Sequence, residues 1–172
     1  LRHLRILETQ PLRWPNEAAC EAFAQSFAQA LLASNTPVNA SIELHGQLGA
    51  GKTSLVRHLL RALGVEGRIK SPSYAVMESY DLSSAAPQVG EVSHFDFYRF
   101  NDPREWEDAG FRDIFAAPGL KLSEWPEKAA GVLPPSDLQI WLEVLADDSR
   151  SVRLLAGSAW GLQMLRSLEL AA

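Results

Sequence analysis

SIELHGQLGAGKTSLVRHLLRAL, residues 41–63, is the stretch on which the reading of this chain turns. Within it Gly46, Gln47, Leu48, Gly49, Ala50, Gly51, Lys52 and Thr53 match the phosphate-binding pattern GxxxxGK[ST] in full. Upstream, Val38, Ala40, Ile42 and Leu44 alternate with polar residues as a strand does. Downstream, Leu55, Val56, Leu59, Leu60 and Leu63 recur at helical spacing, and Gly64 is placed to end the helix. A glycine-rich loop between a strand and a helix is the context in which the pattern means phosphate binding.

The residue types follow from that task. Glycine reaches positive φ at little cost and lets backbone N–H groups close around phosphate oxygens. The N-terminus of the following helix adds its own N–H groups and the positive end of its dipole. Gly46, Gly49 and Gly51 thus shape a nucleoside-triphosphate site, with Lys52 reaching the β- and γ-phosphates and the Thr53 hydroxyl a candidate ligand for Mg2+.

At 172 residues the chain reads as one domain, residues 1–172, large enough for a real core without disulfides or metal staples. Its formal net charge of −5 argues against independent capture of nucleic acid, which rests on Lys and Arg neutralising phosphates. Cys20, the only cysteine, excludes an internal disulfide and a CxxC metal site, and reads as a small buried residue on a helix. The opening residues LRHLRILETQ lack a cleavable apolar leader, and no stretch approaches the ~20 apolar residues of a membrane helix. A cytoplasmic protein is expected.

Asn16 predicts the N-cap of a first helix, with Ala18, Ala19, Ala22, Phe23, Phe27, Ala30 and Leu31 on its apolar side and an end near residues 34–37. After residues 71–74 break the pattern, runs over 74–80 and 91–97 predict an antiparallel pair across a Ser-, Pro- and Gly-rich turn. Asp102 and Pro103 open another helix. A short strand covers 120–125, two more cover 138–145 and 151–155 across Asp147, Asp148 and Ser149, and an amphipathic helix covers 160–168. The fold class is α/β: a sheet of mixed parallel and antiparallel strands flanked by helices.

Phosphoryl transfer needs carboxylates near the metal and near the attacking water. Two end apolar strand segments: Asp96 follows Val92 and Phe95, and Glu124 follows Leu120 and Leu122. Ligands bind outside the carboxyl ends of strands in open α/β sheets, which favours both. His94 reads as an ordinary hydrogen-bonded histidine.

Taken together, HGQLGAGKTSLVRHLLRALG, KSPSY, HFDFYRF followed by DPREWEDAG, and LSEWPE resemble the TsaE family, also called YjeE, over nearly the whole chain. Each short motif is weak alone; their order and spacing behind a phosphate loop are specific. The resemblance implies a small single-domain P-loop ATPase of the bacterial cytoplasm, required for forming threonylcarbamoyladenosine next to the anticodon of tRNA. It implies action with the TsaB–TsaD heterodimer, tRNA being met only through that complex. By motif it implies Gly49, Ala50, Gly51, Lys52, Thr53 and Ser54 as the ATP-binding residues around the phosphates, Thr53 and Glu124 as Mg2+ ligands, Asp96 as the catalytic group that orients or activates water, and Trp125 beside the site. It further implies that Glu17 and Asp148 flank the nucleotide and that Ser71, Pro72 and Ser73 form a switch loop that senses the γ-phosphate. Ser73 stands where the family pattern has threonine and keeps the hydroxyl.

Other classes would use the same loop. A small-molecule or nucleoside kinase usually carries an Arg-rich lid, and no compact candidate is evident. A GTPase switch module would carry NKxD and DxxG sequences, which this chain lacks. A nucleotide-binding scaffold without turnover is distinguished only by measuring activity.

Overall fold

The computed structural model describes residues 6–72, 75–102 and 104–171. Its elements run β1 (Glu8–Trp14), α1 (Glu17–Leu32), β2 (Asn39–His45), α2 (Lys52–Ala62), β3 (Met77–Asp81), β4 (Glu91–Asp96), α3 (Arg104–Asp108), α4 (Phe111–Ala116), β5 (Gly119–Glu124), a 3-10 helix (Pro126–Ala129), β6 (Leu138–Val144), β7 (Arg150–Ala156) and α5 (Ala159–Ala171). The strands form one sheet in the order β1-β7-β6-β2-β5-β4-β3. β2 runs parallel to both β5 and β6, and β4 parallel to β5. The outer pairs β1–β7, β6–β7 and β3–β4 are antiparallel. The mixed α/β sheet read from the sequence is the one observed.

Alternation builds the core. Ala40, Ile42 and Leu44 of β2, Leu120 and Leu122 of β5 and Leu138, Ile140 and Leu142 of β6 all point to the face covered by α1, α2 and α5. Side chains such as Leu44 and Leu122 are almost wholly removed from water, and burying one contributes about 2 kcal/mol. On the opposite face, at the β3–β4–β5 end, Phe95 packs edge-on against Phe111 at 5.2 Å, within an aromatic cluster that includes Phe97, Phe100 and Trp106. The two clusters hold β4 from both sides, through Val92 on one face and Phe95 on the other, and β4 pairs with β5, so the strands that carry the candidate carboxylates are fixed together.

The helix ends follow local chemistry. Asn16 Oδ1 accepts the Ala19 N–H at 3.0 Å and caps α1. Gly64, at φ +102°, ends α2: its N–H reaches the Arg61 carbonyl and the Val65 N–H reaches the Leu60 carbonyl, the two bonds of a Schellman motif. Asp102 Oδ1 accepts the Arg104 N–H at 2.9 Å at the start of α3.

Three features differ from the sequence reading. β1, unread in the sequence, pairs along its whole length with β7 at the sheet edge, where Pro11 is tolerated. α4 was likewise not anticipated. The strand expected over 74–80 starts at Met77, because Val76 turns to φ +66°. Ser73, Tyr74 and Pro103 lie outside the described residues, as does the start of the LRHLRILETQ segment.

Candidate active site

The sheet register assembles the site. β2, β5 and β4 are neighbours, and Leu44, Glu124 and Asp96 stand opposite one another at their carboxyl ends. The phosphate loop leaves β2 one residue later, so both carboxylates lie beside it on the face that α2 covers.

Within the loop, Gly46, Gly49 and Gly51 take φ of +153°, +82° and +108°. At Gly46 the need for glycine is also steric: a Cβ would sit 2.6 Å from the Leu142 carbonyl oxygen of β6. Lys52 opens α2, and its Nζ donates to the Gly46 carbonyl and, at 3.4 Å, to that of Gln47. The ammonium also lies 3.8 Å from the centroid of the Trp125 ring. Burial pulls the Lys52 pKa below its ordinary value, against the opposing pull of Glu124, Glu127 and Asp96. Trp125 is set over Lys52 by its own backbone, at φ +54° immediately after β5, and its ring meets Tyr98 at 5.0 Å.

Glu124 is 2% exposed. Thr53 Oγ1 donates to its Oε1 at 2.8 Å, and His94 Nε2 donates to its Oε2 at 2.6 Å. A hydroxyl and a carboxylate side by side are hard oxygen donors of the kind that suits Mg2+. Asp96 stands one strand over, its Oδ1 accepting the Tyr98 N–H at 3.0 Å. Burial raises its carboxyl above the usual range, with the Tyr98 N–H working the other way and Glu124 adding to the rise.

A cleft of about 400 Å³ opens on the other side of the loop. Gly49, Ala50, Gly51 and Ser54 form one wall, Glu17 at the start of α1 another, and Asp148 in the β6–β7 turn a third. Both residues assigned to the nucleotide's flank therefore face the cleft. Glu17 Oε1 accepts from His58 Nε2 at 2.7 Å, and Asp148 adopts φ +66°. Of the residues expected to form a switch loop, Pro72 is buried and its carbonyl accepts the Val76 N–H at 2.9 Å, while Ser71 is exposed. The Val76 carbonyl in turn accepts the Asp96 N–H at 2.8 Å, which ties the end of that loop to a site carboxylate.

The places of two residues in the site escaped the sequence reading. His94 is hydrogen-bonded, as read, but its partner is the buried Glu124; its alternation with Asp96 on β4, which puts the two on one face, was the available signal. Arg150 donates through Nε to the Ala50 carbonyl at 3.0 Å and through Nη1 to the Asp148 carbonyl at 2.5 Å, joining the β6–β7 turn to the phosphate loop. No local pattern marked it.

Comparison with known proteins gives a consistent result. Residues 14–152 match the family model described as threonylcarbamoyl adenosine biosynthesis protein TsaE. The tRNA threonylcarbamoyladenosine biosynthesis protein TsaE of Haemophilus influenzae is 36% identical over 155 residues, 90% of this chain and 94% of that protein. The protein of the same name from Bacillus subtilis is 32% identical over 115 residues, 67% of this chain and 68% of its own. The crystal structure of Bacillus subtilis YdiB superposes with a TM-score of 0.74 at 23% identity, covering 97% of this chain and 98% of that one.

Proposed function

The chain belongs to the TsaE family and serves tRNA threonylcarbamoyladenosine biosynthesis, and from that premise we propose that it is a Mg2+-dependent ATPase acting with the TsaB–TsaD heterodimer. The observation that carries the reading is the contact between Thr53 of the phosphate loop and Glu124 at 2.8 Å, with Asp96 in register beside Glu124. Structural turns rich in glycine have no need of a buried carboxylate against the Thr of GKT.

The loop amides from Gly49 to Ser54 bind the phosphates, and Lys52 exchanges the carbonyls of Gly46 and Gln47 for phosphate oxygens. Its burial and lowered pKa favour that exchange, since an anion restores what desolvation costs the ammonium. Thr53 and Glu124 hold Mg2+, which when bound neutralises charge on the phosphate oxygens. His94 keeps the Glu124 carboxylate oriented. Asp96 orients the attacking water and accepts its proton, a task helped by a carboxyl whose pKa lies above the usual range. Glu17 and Asp148 flank the nucleoside across the cleft, and Arg150 holds that wall to the loop.

Ser71, Pro72 and Ser73 sense the γ-phosphate. The hydrogen bonds from Val76 to Pro72 and from Asp96 to Val76 support a link between that loop and the hydrolytic carboxylate. Val76 is β-branched at positive φ, a conformation costing about 1–3 kcal/mol, as segments with two arrangements often store. The loop offers the partner heterodimer a surface that depends on nucleotide. With a net charge of −5, the chain leaves tRNA to the assembled complex. Its place of action is the cytoplasm; among the described residues no helix is long and apolar enough to cross a membrane.

The test is ATP hydrolysis by the parent and by Lys52→Ala, each with and without purified TsaB–TsaD. Slow turnover alone, faster turnover with the heterodimer and near loss in a folded Lys52→Ala variant are expected. Parental hydrolysis by that variant refutes the site.

A further inference from the structure

Glu17 and Cys20 lie three residues apart on α1 and so share one face of its first turn, where His58 of α2 meets them. One carboxylate oxygen, the Cys20 sulfur and one imidazole nitrogen all lie within 4.8 Å of one another. From this juxtaposition we propose a binding site for a thiophilic divalent cation of the zinc class, held by Glu17, Cys20 and His58 with a fourth position left to solvent.

The donor set decides the class of ion. Thiolate and imidazole select borderline-soft metals such as zinc, whereas Mg2+ takes oxygen. Bonds of about 2.0–2.3 Å put tetrahedral donors roughly 3.5 Å apart, so the Glu17–His58 pair, joined by a hydrogen bond of 2.7 Å, opens by about 1 Å while the sulfur, within 4.8 Å of both, draws in. Glu17 supplies that movement, because its side chain is 68% exposed. Cys20 is buried and stays as the anchor. Thiolate and carboxylate together carry two negative charges, which balance the cation and make its partial burial tolerable.

Binding forms a metal–sulfur bond and sends the thiol proton to solvent. The imidazole stays neutral and moves its proton to the ring nitrogen that does not ligate. In the metal-free protein, burial foremost and the Glu17 charge next push the Cys20 thiol up to about 12. A bound cation reverses that, as coordinated thiols are deprotonated outright. The site lies apart from Thr53 and Glu124 but shares Glu17 and the Cys20 edge with the nucleotide cleft, so it is tested on nucleotide-free protein.

Cobalt substitution tests it directly. Cys20 is the only cysteine, so a thiolate-to-cobalt charge-transfer band has one source. Titration of nucleotide-free protein with Co2+ is expected to give that band, together with the visible absorption of a tetrahedral site, saturating at one equivalent. Zn2+ should abolish it and excess Mg2+ should not. Cys20→Ser should lose the band, and His58→Gln and Glu17→Gln, both at accessible positions, should bind at least about 10–100-fold more weakly. Absence of the band in the parent overturns the site. So does a band of equal strength and affinity in both His58→Gln and Glu17→Gln, which would mean that the lone thiol binds by itself.

Discussion

Replacing His94 by phenylalanine keeps a ring of similar size in a fully packed position and removes the donor to Glu124 Oε2. That oxygen has almost no access to water, so its lost partner is not replaced. Hydrogen bonds to charged groups contribute about 1.5–3 kcal/mol, and opening one side of a buried pair costs about 3–5 kcal/mol. Because Thr53 still holds the other oxygen at 2.8 Å, a loss near the junction of those ranges, about 3 kcal/mol, is expected. With a urea m-value of about 2 kcal/mol/M this lowers the unfolding midpoint by roughly 1.5 M. His94→Gln, which can offer an amide N–H, should recover a large part. Added Glu124→Gln should show coupling of at least about 1 kcal/mol in the double-mutant cycle, because a neutral amide leaves no buried charge to abandon. A change of less than about 0.5 kcal/mol in His94→Phe, or strict additivity with Glu124→Gln, would refute the view that His94 holds this carboxylate.

Gly46→Ala should destabilise by about 2–5 kcal/mol, the sum of left-handed strain and a contact with the rigid Leu142 carbonyl, whereas Gly49→Ala, which meets nothing within 4 Å, should cost only about 1–2 kcal/mol; equal midpoints in urea would contradict the difference. Asp96→Asn should slow hydrolysis while keeping nucleotide affinity, and a variant unable to bind ATP would point instead to a structural role. The same variant should be more stable than the parent at neutral pH, because burial makes the ionised Asp96 a cost to folding. That advantage should shrink as pH falls through the raised pKa and vanish below the ordinary carboxylate value of about 3.9, checked by urea unfolding across pH. Nucleotide should change tryptophan emission as Lys52 leaves the Trp125 ring, and Trp125→Phe should remove the response although Trp14, Trp106, Trp141 and Trp160 remain.

The parts legible in the sequence were those set by short-range chemistry. The strand, phosphate loop and helix over residues 41–63 declare themselves because glycine, lysine and threonine are needed at fixed offsets and the flanks have opposite periodicities. Asn16 and Gly64 announced helix ends for the same local reason. Asp96 and Glu124 were recognisable as carboxylates closing apolar runs, and parallel pairing of β4 with β5 then sets them side by side. What stayed hidden depends on distant partners. β1 gains its strand character from β7, more than a hundred residues away, and Pro11 disguises it. His94 matters through Glu124, thirty residues on, and Arg150 through a backbone carbonyl at Ala50. The triad of Glu17, Cys20 and His58 exists only because α1 and α2 pack together.

On the proposed function, nucleotide at the phosphate loop governs engagement of the TsaB–TsaD heterodimer through the loop that begins at Ser71. Titration of labelled TsaB–TsaD with this protein in ATP, in a non-hydrolysable analogue and in ADP measures it most directly. Tight binding with ATP and the analogue and weak binding with ADP is the predicted result; equal affinity in all three states would contradict it.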